Sequence, residues 1–276
     1  MAQGQSGATR IKQDSFRALM IHQNILYNQI LSKPRQQFRK KRPILHMDFH
    51  SGCGWNHDVD VEGSPIIALD CFRESGLKYE CFFIDKNQQC IDELGSRREI
   101  MCDPCAHVHC CTNQKMCEWV SRIADKKNTG GRYTLGTIYL DPNGPVGKVA
   151  HGDPASIPWE GLHHVTSEFP CIDVIFNFPA GAIKRLDPSH NGRVDINDLP
   201  EMLRKDYWMI NEPNGMWQWV LCVGRNGDFR AWENANWHLW NSDKGIEIRE
   251  TARKTRAEIA KQNDRQRYFD MDKIEL

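Results

Sequence analysis

The chain has 276 residues, enough to bury one sizeable core, and its 36 lysine and arginine residues balance its 36 aspartate and glutamate residues. This balance excludes a global electrostatic field that would by itself indicate a charged partner. No run approaches the roughly 20 apolar residues that cross a bilayer, and the first ten residues lack the apolar core of a signal peptide. We therefore expect a cytoplasmic protein without a membrane segment.

Composition predicts three parts. Residues 1–43 contain an amphipathic helix over 16–31, which we expect to brace the first strand, and a basic stretch over 32–43. Prolines interrupt this basic stretch, and such a charge run is more often a solvated linker than a phosphate-binding site. Residues 44–245 form an α/β domain. Residues 246–276 form a charged helical extension that lacks an apolar stripe.

The first predicted strand begins at Ile44 and leads into a short turn with Gly52 and Gly54. Ser64 suits the N-cap of the following helix, and Pro65 suits its first position. In doubly wound α/β folds, such a junction lies at the carboxyl edge of the sheet, where a nucleotide-like ligand can approach bare backbone. A turn with two glycines also occurs where the chain merely reverses, so other segments must support the site.

Four more apolar strands are predicted, and each ends in polar or glycine- and proline-rich residues. They cover 79–84, 99–102, 137–140 and 172–176. The second strand ends at Asp85, which either accepts hydrogen bonds from ribose hydroxyls or is a solvated aspartate. The third ends at Asp103, and the fourth at Asp141 and Asn143. Five such strands, separated by helix-length segments, predict a mostly parallel sheet covered on both faces.

The region after the fifth strand is rich in tryptophan. Asn226-Gly227 is a strong turn signal within the segment 217–232, which predicts an antiparallel β-hairpin. The tryptophans are Trp208, Trp217, Trp219, Trp232, Trp237 and Trp240. Exposed rings could stack on nucleobases. We favour packing in the protein interior, where tryptophan is commonly found.

Eleven cysteines are predicted to be free thiols, because several lie inside apolar elements and no secretion signal precedes them. Cysteine and histidine are dense in one segment, at Cys102, Cys105, His107, His109, Cys110, Cys111 and Cys117. The segment lacks the second ligand pair that structural zinc sites usually have, so ordinary loop and helix residues are favoured and no metal ligand is assigned. The acidic spacing over 187–198 departs from a calcium loop, and we interpret it as a polar insertion.

Several motifs between residues 20 and 190 occur in an order that is harder to obtain by chance than any one motif. They are Asp48-Phe49-His50-Ser51-Gly52-Cys53-Gly54, Gly63-Ser64-Pro65-Ile66-Ile67-Ala68-Leu69, Asp141-Pro142-Asn143-Gly144, Pro158-Trp159, and the strand 172–178 with Arg185 behind it. Together they resemble the three-Cys-motif partner family, whose domain is similar to S-adenosylmethionine-dependent methyltransferases. The resemblance implies a Rossmann-like, doubly wound α/β fold, mostly parallel, with a C-terminal antiparallel hairpin.

The resemblance also implies S-adenosylmethionine as cofactor. The implied binding residues are Asp48, His50, Ser51, Gly52, Gly54, Asp85 and Asp103. Gly52 and Gly54 would accommodate the methionine end, and Asp85 would hold the ribose. The implied catalytic residues are Asp141 and Asn143. Asp141 would orient the methyl acceptor or take its proton.

The chain departs from the family at Ser51 and Cys53, where a small residue and a proline are usual, and at Asn143, where an aromatic residue is usual. An aromatic ring there would stack on a flipped base, which Asn143 and Gly144 cannot do. Two functions stay open. One is a methyltransferase, with a nucleic-acid acceptor favoured by the basic stretch and the tryptophans. The other is an inactive binding module that acts with a protein or nucleic-acid partner.

Overall fold

The computed structural model describes residues 6–57, 59–127, 133–141, 157, 159–178, 197, 199–203, 205–212, 218–223 and 236–253. The helices are α1 Ser6–Ser32, α2 Ser64–Ser75, α3 Gln88–Ser96, α4 Arg98–Met101, α5 Asn113–Lys127, α6 Trp159–Glu168, α7 Leu199–Met202 and α8 Asp243–Arg253, with a 3₁₀ helix over Pro34–Arg39. The strands are β1 Ile44–Asp48, β2 Trp55–Asn56, β3 Val61–Glu62, β4 Tyr79–Asp85, β5 Ala106–Cys110, β6 Gly136–Leu140, β7 Ile172–Phe178, β8 Tyr207–Asn211, β9 Gln218–Val223 and β10 Trp237–Leu239.

Eight of these strands form one sheet, in the order β10-β8-β9-β7-β6-β1-β4-β5. The five strands from β7 to β5 are parallel, and β9 is antiparallel to both of its neighbours, β7 and β8. The chain therefore has the Rossmann-like, methyltransferase-type fold, and the predicted fold class is confirmed. The antiparallel pair is formed by β8 and β9, while the predicted turn at Asn226-Gly227 lies outside the described residues.

Apolar side chains alternate between the two faces of the sheet, as the period of a strand requires. Leu45 and Met47 of β1 join a core with α5 and α6, whereas Ile44 joins a second core with α1 and α2. Because both faces are covered, the central strands are almost entirely apolar and easy to recognise in the sequence. A ligand can therefore reach the sheet only at its edge, where the strands end.

Helix α1 packs on the sheet as part of the second core, where Phe16, Met20 and Tyr27 are fully buried. The hydroxyl of Tyr27 donates to the main-chain oxygen of Gly136 in β6 at 2.6 Å. Gln23 adds a buried hydrogen bond to the carboxylate of Asp173 in β7. These contacts fix α1 across the sheet, so its first turns are held near the strand ends.

The third strand was predicted over 99–102, and this prediction is wrong. Helix α4 occupies that position, and β5 begins only at Ala106. The segment Arg98–Met101 contains strong helix formers, and its apolar residue Ile100 packs into the core from a helix rather than from a strand. As a result, Asp103 precedes the strand instead of following it.

Three of the tryptophans in the region after the fifth predicted strand have described side chains, and all three pack inside the protein. Trp208, Trp237 and Trp240 expose 7%, 4% and 6% of their surface, which leaves no ring face free for a nucleobase. The predicted packing role is confirmed for these three residues. The side chains of Trp217, Trp219 and Trp232 lie outside the described part of the chain. No helix in the described part is long and apolar enough to span a membrane.

Candidate functional site

Three aspartates meet at the carboxyl edge of the sheet. Asp48 ends β1, which lies between β4 and β6 and runs parallel to both, so Asp85 and Asp141 come to the same edge. The chain after β1 keeps contact with both neighbours, because Ser51 N–H donates to the Ile84 carbonyl at 3.0 Å and Phe49 N–H donates to the Tyr139 carbonyl at 3.1 Å. The glycine turn is therefore held directly above the strand ends.

Asp48 organises the base of this turn. Its fully buried carboxylate accepts hydrogen bonds from the His50 main-chain N–H at 2.9 Å and from the Ser64 hydroxyl at 2.5 Å. Burial raises the pKa of Asp48 to about 7, against the lowering effect of these two hydrogen bonds. Because the hydroxyl of Ser64 is used in this way, Gly63 takes the N-cap of α2, and the predicted capping role of Ser64 is wrong.

The two glycines of the turn both have left-handed backbone conformations but face different surroundings. A Cβ on Gly54, where φ is +71°, would lie 2.5 Å from Cδ1 of Leu94 in α3. Gly63 packs against the backbone of Gly54 and donates its N–H to the Gly54 carbonyl at 2.8 Å. A Cβ on Gly52, where φ is +55°, would meet nothing within 4 Å. Gly54 is therefore a packing glycine, and Gly52 presents the open backbone.

Asp85 holds the open glycine in place. Its Oδ2 accepts the Gly52 N–H at 3.1 Å, and its Oδ1 accepts the Asn87 N–H at 2.8 Å. Each carboxylate oxygen can accept a further hydrogen bond, because an ionised carboxylate has about four lone-pair positions. Asp85 can therefore hold the turn and still accept from ligand hydroxyls.

His50 connects the turn to two other elements. Its Nδ1 accepts the main-chain N–H of Asp141 at 3.1 Å. Its Nε2 lies 3.1 Å from the side-chain amide of Asn113 at the start of α5. Burial lowers the pKa of His50 to about 4, so the ring is uncharged at neutral pH.

Asp141 is paired with a residue that the sequence did not single out. Lys12 of α1 places its ammonium 2.5 Å from Oδ2 of Asp141, and Asn177 at the end of β7 donates to Oδ1 at 2.8 Å. Burial acts to raise the pKa of Asp141, but the Lys12 charge and these hydrogen bonds outweigh it, and the pKa is lowered. Asp141 is therefore ionised at neutral pH. Asn143 lies outside the described residues.

Asp103 does not belong to this group. It lies at the amino end of β5, the opposite edge of the sheet, where it accepts hydrogen bonds from Tyr79 at 2.6 Å and from Arg73 at 2.9 Å. Its assignment to the cofactor site rested on the strand predicted over 99–102, where the structure has helix α4 instead. The side chain instead links α2 to the beginning of β4.

The segment dense in cysteine and histidine is spread along β5 and does not converge. Cys102 and Cys105 lie before the strand, and Cys110 and Cys111 lie at its far end, more than 10 Å away by the rise of about 3.3 Å per residue. No three of these residues form a metal-binding group within the described chain. The ten cysteines whose side chains are described are free thiols.

No protein-family model and no curated protein matches this sequence. Among solved structures, a Legionella pneumophila protein is 11% identical with a TM-score of 0.47, over 79% of this chain and 89% of that one. Human methyltransferase-like protein 13, in complex with SAH, is 12% identical with a TM-score of 0.42, and the match covers 85% of this chain and 93% of that one. An rRNA methylase from Streptococcus thermophilus is 9% identical with a TM-score of 0.39, and the match covers 67% of this chain and 89% of that one. Similarity at this level says nothing about the activity of this chain.

Proposed function

We propose that this chain is an S-adenosylmethionine-dependent methyltransferase, related to the three-Cys-motif partner proteins, that binds its cofactor at the carboxyl edge of β1 and β4. One observation carries the proposal: Asp85 holds the N–H of Gly52, and the α-carbon of this glycine faces open space. A carboxylate beside a bare, positive-φ turn is the arrangement by which doubly wound folds hold ribose and let a ligand approach the backbone.

The residues at this edge fit the cofactor in two different roles. Gly52 and Asp85 are the proposed contacts, for the methionine end and for the ribose hydroxyls. Asp48, His50 and Ser51 are largely buried and bonded within the chain, so we assign them to positioning the turn. Bound S-adenosylmethionine supplies an electrophilic methyl group, and the protein accelerates its transfer mainly by orienting the acceptor.

Asp141 is proposed to orient the acceptor rather than to take its proton. A general base works best when its pKa lies near the working pH, and the lowered pKa of Asp141 makes it a weak base. As an ionised carboxylate held by Lys12 and Asn177, it can accept a hydrogen bond from an acceptor group at a fixed point. Asn143 remains a proposed member of the same site.

The proposed methyl acceptor is a nucleic acid, with protein as the alternative. Trp208, Trp237 and Trp240 are buried. The basic stretch, in which Lys33, Arg35, Lys40 and Lys41 are exposed, precedes β1 at the opposite edge of the sheet from Asp141. A nucleic-acid acceptor therefore has to be tested beside protein. The cytosol, with its RNA, DNA and reduced thiols, is the proposed location.

A second candidate function is a binding module without catalysis. It is favoured by the contacts of Asp141 within the chain, because both of its carboxylate oxygens already accept from Lys12 and Asn177. In such a module, the ion pair between Lys12 and Asp141 would only stabilise the end of β6. A protein or nucleic-acid partner would then use the fold without methyl transfer.

Calorimetric titration with S-adenosylmethionine tests the proposed site. Gly52→Leu should weaken binding at least tenfold, because the new side chain enters the space that the ligand would occupy. Gly76→Leu is the matched control, since Gly76 also has positive φ, +65°, and open surroundings but ends α2. If both variants bind like the parent, the turn is structural only and the proposal fails.

Transfer of labelled methyl groups to RNA, DNA and protein from the source cells separates the two functions. A methyltransferase should label one acceptor class, and Asp141→Ala should lower the rate by about a hundredfold while cofactor binding persists. Cofactor binding without any labelled acceptor would favour the binding module.

A further inference from the structure

The glycine turn also carries a cysteine that faces helix α3. Cys53 lies between Gly52 and Gly54, and His57 follows the short strand β2. Cys90 and Glu93 are three residues apart in α3, a spacing that places them on the same side of the helix. Two elements thus bring two thiols, an imidazole and a carboxylate to one place beside the turn.

The ligand atoms of this group are close together. The Sγ of Cys53, a ring nitrogen of His57 and a carboxylate oxygen of Glu93 all lie within 4.8 Å of one another. His57 Nε2 is 2.7 Å from Glu93 Oε1, and the thiol of Cys90 lies near that of Cys53. In the described part of the chain, no other group of three such residues has this proximity.

We propose that Cys53, His57 and Glu93 bind one zinc ion and that the thiol of Cys90, which lies outside this close group, moves in as the fourth ligand. The ion would fasten the glycine turn to α3. Sulfur, imidazole nitrogen and carboxylate oxygen are the usual ligands of tetrahedral Zn²⁺. Bond lengths of about 2.0–2.3 Å place the ligands of a tetrahedral ion roughly 3.3–3.8 Å apart. The 2.7 Å between His57 Nε2 and Glu93 Oε1 must therefore widen, whereas any pair near the 4.8 Å limit must close by about 1 Å. The exposed ring of His57 has room for this movement.

A surrounding framework already holds the group. The guanidinium of Arg97 donates to Glu93 Oε1 at 2.6 Å and to the main-chain oxygen of Cys53 at 2.8 Å. Such secondary contacts orient metal ligands, and their loss commonly weakens binding tenfold to a hundredfold. None of the four proposed zinc ligands is a proposed contact of S-adenosylmethionine, so zinc binding can be tested independently of methyl transfer.

The test is to reduce the full-length chain, load it with zinc sulfate, dialyse it and measure zinc by mass spectrometry. We expect one zinc per chain in the parent and in Cys110→Ser, which removes an exposed thiol at the end of β5. His57→Gln and Cys90→Ser should each weaken zinc binding at least tenfold in competition with a chromophoric chelator. Cobalt loading of the parent should give the visible spectrum of a tetrahedral, thiolate-bound ion.

Circular dichroism of the metal-free variants controls for unfolding, and His57→Gln is the safer variant because the ring is exposed. Three outcomes would overturn the proposal. They are a parent chain without stoichiometric zinc, an equal loss of zinc in Cys110→Ser and Cys90→Ser, or a Cys53–Cys90 disulfide that forms in air while zinc is present.

Discussion

The main-chain N–H of Gly52 donates to Oδ2 of Asp85 at 3.1 Å, which joins the turn after β1 to the end of β4. The same carboxylate is the proposed ribose ligand. Ligand affinity and the shape of the turn are therefore coupled through one side chain, and variants of Asp85 can separate the two effects.

Asp85→Ala should weaken S-adenosylmethionine binding more than tenfold, because it removes charge-assisted hydrogen bonds worth about 1.5 to 3 kcal/mol. Asp85→Asn keeps an oxygen that can accept the Gly52 N–H, so it should lose less affinity. Calorimetry measures both, with Asp92→Ala, an exposed aspartate on α3, as the control. Equal affinities for parent and Asp85→Ala would remove Asp85 from the site.

Gly54→Val should destabilise the fold itself. The new side chain would have to fit a left-handed backbone and would collide with Leu94 at 2.5 Å. Strain of about 1–2 kcal/mol and overpacking of about 1–3 kcal/mol predict a loss of roughly 2–5 kcal/mol in urea unfolding. Gly95→Val, in α3 with open surroundings, is the control and should change stability by much less. A Gly54 variant as stable as the control would contradict this packing role.

The free energy of unfolding should depend on pH through Asp48. Its folded pKa of about 7 lies above the unfolded value of about 3.9, so the folded state binds the extra proton between these values. The stabilisation from protonated Asp48 is thus complete below about pH 4 and is lost as the pH rises through about 7. The loss amounts to about 4 kcal/mol.

The comparison of the parent with Asp48→Asn isolates this effect. His46 and His50, whose pKa values burial lowers to about 3 and about 4, act in the opposite direction, losing stability as the pH falls. Both histidines are present in both proteins, so their contributions largely cancel in the difference. Urea unfolding should show the parent losing stability relative to the variant from about pH 4 to about pH 7. A difference independent of pH would show that Asp48 titrates normally.

Lys12→Met should destabilise the chain by about 3–5 kcal/mol, because it leaves the buried charge of Asp141 without its partner. Lys12→Met combined with Asp141→Asn should recover much of this loss, since no uncompensated charge remains. Arg17 lies on α1 like Lys12 and forms a partly exposed ion pair with Glu62 of β3, so Arg17→Met should cost about 1 kcal/mol or less. Chemical denaturation of the parent, the Lys12→Met and Asp141→Asn single variants and the double variant measures the coupling, and additive losses would show that the pair does not interact.

The sequence by itself determined the parallel part of the sheet. The central strands are apolar on both faces, because helices cover both sides of the sheet. Each strand is therefore recognisable in the sequence as a short apolar run, as in Ile44–Asp48 and Tyr79–Asp85. The glycine turn and the strand-end aspartates Asp85 and Asp141 followed from the same local patterns. Parallel strands end at one edge, so their convergence was predictable without coordinates. Near β5 the prediction failed, because the apolar residues around Ile100 belong to helix α4, whereas β5 itself contains two histidines and few apolar residues.

Only the tertiary structure decided what each of these residues contacts. Lys12 reaches Asp141 across 129 positions of sequence, and no local pattern separates it from other helical lysines. Gly52 and Gly54 are alike in sequence, yet one faces open space and the other Leu94, because α3 packs over only one of them. The same packing brings Cys90 against Cys53. Side-chain pairing depends on how elements lie against each other, which is a property of the assembled fold and not of any segment.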